Sequence, residues 1–197
     1  MKKIVLASKN SDKVKEIRLA LQSLPVEILS LADFDEMPDA VEDGLTFEDN
    51  ALIKARFFGA RTKLACLADD SGLEVDALGG LPGVYSARFS GYHADDTTNN
   101  QKLVDELKKI GVTESKADYR CVLAFVDTDG SEIVTSGKID GTIKLAPKGN
   151  GGFGYDPYFY ITESRTMAQL SPAEKNSISH RGAALAKMIL ELKGRLP

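Results

Sequence analysis

A chain of 197 residues, 43% hydrophobic and 27% charged, can bury a substantial core as one domain, or as one domain with two lobes around a shared sheet, and its composition is neither disordered nor fibrous. The net charge of −4 argues against a general nucleic-acid surface, which is built from clustered Lys and Arg, but leaves room for a small phosphorylated ligand held by a few placed cations. The apolar run of MKKIVLAS is too short for a signal peptide, and no stretch reaches the ~20 apolar residues of a membrane span, so no membrane contact and an intracellular, cytoplasmic location are expected.

The run IVLA, residues 4–7, reads as a strand covered on both faces. SKNSDK follows as a strand-to-helix turn, and Val14, Ile17, Ala20, Leu21 and Leu24 then recur at helical spacing up to Pro25. Such a turn leaves backbone N–H groups and the positive end of a helix dipole facing an anion. VEILSL reads as a second strand and residues 33–44 as an acidic loop. Thr46 and Asp49 form a capping box that opens a helix to about residue 62, turning Ala51, Leu52, Ala55 and Phe58 inward.

LACLA is the next strand, ending at the acid pair Asp69 and Asp70, and residues 73–95 read as a long ordered loop. A helix over 97–110 carries Leu103, Val104 and Leu107 and is closed by Gly111. YRCVLAFVD and SEIVTSGKIDGTI flank Asp129-Gly130 as a hairpin. Ser171, Pro172 and Glu174 start a capped helix, and a last helix over about 180–193 carries Ala184, Leu185, Met188 and Leu192 on one face. Together these predict an α/β fold on a mixed sheet. Cys66 and Cys121 lie in separate apolar runs, so buried free thiols are expected in place of a bridge or a zinc site.

Four polar or glycine-rich stretches sit at element boundaries: SKNSDK, ADDSG, GNGGFGYDP and EKNSISHRG. Ser8, Asn10 and Lys13 place a hydroxyl, an amide and an ammonium around a helix N-terminus, which suits a phosphate but also reads as a plain cap. Neighbouring strand residues face opposite ways, so Asp69 and Asp70 cannot share one pocket if the strand runs through them, and one of them is expected to be structural. The pair reads either as a solvated turn or as half of a Mg²⁺ site completed by a carboxylate of the acidic loop. GNGGFGYDP lets backbone approach a ligand and offers Phe153 and Tyr155 as stacking surfaces or as core aromatics. Lys175, His180 and Arg181 bring cations to a helix N-terminus, where the dipole disfavours them unless an anionic partner or solvent meets them.

The ordered set S-K-N-S-D-K, T-F-E-D-N-A-x-x-K-A, A-D-D-S-G-L-x-V-D-x-L-G-G-x-P-G-x-Y-S-A-R, G-G-F-G-Y-D-P and E-K-N-x-I-S-H-R-G resembles the inosine/xanthosine triphosphate pyrophosphatase family over essentially the whole chain. The resemblance implies a single pyrophosphatase domain over residues 1–197: a long mixed β-sheet flanked by helices, two lobes with a nucleotide cleft between them, and a homodimer. It implies Mg²⁺-dependent hydrolysis of inosine, deoxyinosine and xanthosine triphosphates to monophosphate and pyrophosphate. Carried over by position, Asp70 is the catalytic acid and, with Glu42, a metal ligand. Ser8, Asn10, Lys13, Lys54 and Lys175 surround the triphosphate, with Ser71 close by. Phe153 stacks on the base, next to Gly154, and Tyr155, Asp156, His180 and Arg181 read its edge. Ser8 and Asn150 stand where the family more often has Thr. Two alternatives remain at this point: a pyrophosphatase for modified pyrimidine nucleotides, and a nucleotide-binding protein without turnover.

Overall fold

The computed structural model describes residues 1–195. In chain order the elements are β1 (Lys2–Leu6), α1 (Ser11–Leu21), β2 (Val26–Ser30), α2 (Phe47–Thr62), β3 (Ala65–Val75), α3 (Asp96–Lys109), β4 (Glu114–Val126), β5 (Glu132–Lys144), β6 (Phe159–Tyr160), α4 (Pro172–Ile178) and α5 (His180–Lys193). The strands follow the order β2-β1-β3-β4-β5-β6. β1 runs parallel to β2 and to β3, whereas β5 and β6 are antiparallel, so the sheet is mixed, as expected. Among the described residues, no helix is long and apolar enough to cross a membrane.

The chain divides into two compact units. The first takes Met1–Asp70, Cys121–Gly137 and the segment from Arg181, and the second takes Ser71–Arg120 and Lys138–His180. In the first unit, β1 explains its own composition. Successive side chains of a strand face opposite ways, and both sides are covered: Ile4 and Leu6 pack with Ile17, Leu21, Leu67, Leu185 and Met188, while Val5 and Ala7 pack with Ala51, Ala55, Phe58 and Ala68. An uninterrupted apolar run is the only pattern such a strand tolerates. α2 begins at Thr46, whose hydroxyl accepts from the Asp49 amide while the Asp49 carboxylate accepts from the Thr46 amide. Both cysteines are buried free thiols, and burial pushes that of Cys66 up to about 12.

The second unit is built on Leu73, Val75, Leu103, Leu107, Tyr119, Ile143, Tyr155 and Phe159. Gly141 on β5 lets the Phe159 ring lie directly against the strand. A Cβ there would come within 2.6 Å of two ring atoms and 2.7 Å of the Tyr160 carbonyl oxygen. Gly141→Ala should therefore cost about 1–3 kcal/mol through overpacking, read as a lower denaturant midpoint at unchanged slope.

Several boundaries differ from the sequence-based expectation, β4 among them, which begins at Glu114 and not at Tyr119. α1 ends at Leu21, and Leu24 is buried beyond it. More consequentially, β3 does not stop at the acid pair. It continues through Ser71 and Gly72 to Val75, because Leu73 and Val75 are core residues and the carboxylates are neutralised from outside the strand. The predicted loop after it is shorter, and contains 3₁₀ turns at Asp76–Leu78 and Gly83–Arg88.

Candidate active site

In the first unit, β3 delivers both acids, and each is hydrogen-bonded to different cations. Asp69 is fully buried. Its Oδ1 accepts from Lys13 Nζ at 2.6 Å, and its Oδ2 accepts from Arg181 Nε at 2.7 Å and from the Cys121 thiol at 3.2 Å. Burial alone would push this carboxyl up, but the Arg181 and Lys13 charges overcome it and hold it well below the usual carboxylate range. Arg181, 1% exposed, also donates through Nη1 to Glu16 Oε2 at 2.6 Å. The anion that stabilises this cation at the start of α5 is thus supplied by the protein itself.

Asp70 has a different set of neighbours. Its Oδ1 accepts from Lys54 Nζ at 2.9 Å, and the same ammonium donates to Glu42 Oε2 at 2.7 Å. Its Oδ2 is buried with no hydrogen-bond partner. Burial pushes the Asp70 carboxyl up against the opposing pull of Lys54. Lys54 stays a cation because Asp70 and Glu42 outweigh the desolvation that would lower it. Glu42 is brought to this point by the loop before α2, which is fastened by the Gly44 amide donating to Asn50 Oδ1 at 2.9 Å. A side chain at Gly44 would put its Cβ 2.5 Å from that of Asp49, so the loop can lie this close to α2 only with glycine there.

Among the described residues, no group of three or more His, Cys, Asp or Glu side chains is arranged to hold a metal. The Asp70–Glu42 pair nevertheless fits Mg²⁺, an ion that takes one or two protein carboxylates and fills its remaining positions with water and phosphate oxygens. The buried, unpartnered Asp70 Oδ2 is the kind of atom such an ion would satisfy.

The first predicted phosphate turn is also well ordered. Asn10 caps α1, its Oδ1 accepting from the amides of Asp12 at 2.9 Å and Lys13 at 3.1 Å, and Ser8 Oγ accepts from the Asn10 amide at 3.2 Å. The cap and the candidate anion site are made of the same residues.

In the second unit, the glycine-rich turn presents Phe153. Asp156 Oδ2 accepts from the Phe153 amide at 3.0 Å and from Lys175 Nζ at 2.6 Å, and the ammonium lies 4.3 Å from the centre of the Phe153 ring. Lys175 is held there by α4, whose Ser171–Glu174 capping box is the one expected. Gly152 has φ +71°, and a Cβ on it would fall 2.1 Å from Asp156 Oδ2. Tyr155 differs from the edge-reading role given to it: its ring is in the core and its hydroxyl donates to the Ser86 carbonyl at 2.8 Å. Asp156, 2% exposed, likewise acts on Phe153 and Lys175. Ser71 follows Asp70 on β3 and is half-buried.

His180 lies stacked on Tyr119, with ring centroids 4.7 Å apart and planes at 13°. Tyr119 was not among the residues singled out by sequence; its place on β4 marks it only as an inward-facing aromatic. Asp96 and Asn100, which hold Gly154, were missed as well, and nothing in their i, i+4 spacing on α3 points to a glycine far along the chain.

A mixed α/β sheet that delivers a half-satisfied buried carboxylate beside a second carboxylate and a shared ammonium is a scaffold suited to phosphate chemistry. The chain belongs to the Ham1 family, which it matches over residues 4–191. It is 49% identical to a protein of Geobacter sulfurreducens named dITP/XTP pyrophosphatase, over 94% of each chain. It is 47% identical to a protein of the same name from Clostridium perfringens, over 100% of each. Among solved structures, a HAM1 protein from Coxiella burnetii superposes with a TM-score of 0.88 at 41% identity, covering 98% of this chain and 100% of that one. The Ham1 protein of Staphylococcus aureus gives 0.85 at 36% identity, covering 99% and 100%. The family resemblance drawn from the motifs agrees with this membership.

Proposed function

We propose that this protein hydrolyses inosine, deoxyinosine and xanthosine triphosphates to the monophosphate and pyrophosphate. The observation that carries the reading is the Asp70 carboxylate, with one oxygen on Lys54, the other buried without a partner, and Glu42 on the same ammonium. The names of relatives at 47–49% identity over nearly full length support the substrate class. Asp70 and Glu42 would hold Mg²⁺, which when bound supplies positive charge to the phosphoryl oxygens.

The rest follows from the chain's own groups. Attack of water at the α-phosphorus needs a carboxylate to orient the water and take up its proton, and Asp70, beside Lys54, is the carboxylate proposed for it. Lys54 keeps its charge and faces the place where negative charge grows. Ser8, Asn10, Lys13 and Lys175 would meet the remaining phosphate oxygens, Ser71 would lie close to them, and Phe153 would stack on the base, with His180 at its edge. Tyr155, Asp156 and Arg181 serve this reading chiefly by holding other groups in place, since Ser86, Lys175 and Phe153, and Asp69 and Glu16 already engage them. A single pyrophosphatase domain, a cytoplasmic location and a homodimer belong to the same proposal.

The test is Mg²⁺-dependent pyrophosphate release from inosine triphosphate, beside ATP, GTP and a modified uridine triphosphate. Release from the inosine substrate alone is expected. Release from none would end the enzyme reading, and preference for the uridine compound would move it to pyrimidines. Phe153→Ala should weaken binding of inosine triphosphate by about 1–3 kcal/mol, the usual worth of an aromatic stacked on a base, seen as a raised KM.

A further inference from the structure

The turn that carries Phe153 is glycine-rich and has exposed residues at Gly151 and Gly152, a composition that ordinarily leaves a backbone free to move. Here three consecutive residues are fastened. The Phe153 amide donates to Asp156 Oδ2, and the Tyr155 hydroxyl donates to the Ser86 carbonyl. Between them, both polar groups of Gly154 are held from α3: its amide donates to Asp96 Oδ2 at 2.6 Å, and its carbonyl accepts from Asn100 Nδ2 at 2.9 Å. Gly154 has φ +63° and nothing within 4 Å of where a Cβ would be, so its backbone conformation, not crowding, calls for glycine.

From this geometry we infer that Asp96 and Asn100 are positioning residues for substrate recognition: by gripping the Gly154 peptide they hold the Phe153 ring in the pose that receives the base. The inference rests on the proposed stacking role of Phe153. Asp96 is exposed and gains nothing from core packing, yet its carboxylate makes a short, charge-assisted bond to a turn 58 positions away. Asn100 stands one helical turn further along the same face and makes the complementary bond. A ring whose backbone is already fixed does not have to be ordered when the ligand arrives, so the clamp acts on affinity for the base. The simpler alternative is that Asp96 only complements the α3 dipole, in which case its loss would lower stability and leave recognition alone.

Asp96→Ala and Asn100→Ala should each raise KM for inosine triphosphate about two- to tenfold, the worth of one hydrogen bond, and more than they lower kcat. Asp96→Asn keeps an acceptor for the Gly154 amide and should restore KM to within about twofold of the native protein. Inhibition by inorganic tripolyphosphate, which has no base, should be the same in all variants. If Phe153→Ala raises KM and the α3 variants do not, the clamp is wrong and the stacking role stands. If Phe153→Ala leaves KM unmoved, the stacking role falls and the clamp with it. A parallel loss of tripolyphosphate inhibition in the α3 variants would mark general damage to the fold and overturn the inference. Asp96 is on the surface, so its variants give a readable answer even if Asn100→Ala does not fold.

Discussion

Asp70→Asn is expected to lower pyrophosphate release from inosine triphosphate by about 10²–10⁴-fold while the protein stays folded. The exchange keeps the shape and leaves an amide oxygen to accept from Lys54, which also retains Glu42. What disappears is the charge; the amide nitrogen takes the place of the buried oxygen that has no partner. Since burial of that carboxylate is the main force pushing its pKa up, removing it should not destabilise the fold, and a thermal midpoint equal to or above the native value is expected. Lys13, Lys54 and Lys175 are all retained to meet the phosphates, so binding of the substrate should survive, weakened by whatever part of it comes from Mg²⁺ held at Asp70. Activity lost with a raised or unchanged midpoint is the signature of a group kept for chemistry. Activity retained within about tenfold would remove Asp70 from the reaction, and activity lost together with cooperative unfolding would make it structural.

The parts of this molecule that could be read from sequence are those whose causes are local. The Thr46–Asp49 and Ser171–Glu174 boxes lie within four residues, and the helices they open begin where expected. The inward positions of α5, Ala184, Leu185, Met188 and Leu192, follow from a period that needs no partner to be seen. The course of β3 is different. Two adjacent acids look like the end of a strand unless their counter-ions are known, and these come from 16, 56 and 112 positions away, as Lys54, Lys13 and Arg181.

The same distinction runs through the candidate site. That Asp69 and Asp70 have separate roles follows from strand geometry alone. Which of them is sealed and which is left half-satisfied depends on long-range partners. The motifs around Phe153 marked the turn but not its supports, because a bond from Asp96 to Gly154 spans 58 residues and leaves no periodic trace.

Arg181→Met should be the most damaging substitution for stability, costing about 3–5 kcal/mol, because it leaves the buried Asp69 carboxylate and the half-buried Glu16 behind. Asp69 would keep Lys13 and the Cys121 thiol, and Glu16 would lose the 2.6 Å bond from Nη1. For a domain whose whole stability is typically 5–15 kcal/mol this is a large fraction, seen as a fall in the denaturant midpoint. Arg181→Lys should lie between, since an ammonium keeps the charge but lacks the planar fork that serves Asp69 through Nε and Glu16 through Nη1 together. The deciding variant is the double one, Asp69→Asn with Arg181→Met. If the cost comes from a stranded buried charge, removing that charge should recover part of it, and the double variant should be more stable than Arg181→Met alone. If the two losses simply add, the guanidinium matters for its packing, and the Asp69–Arg181 pair does not hold α5 to β3 in the way its 2.7 Å geometry indicates.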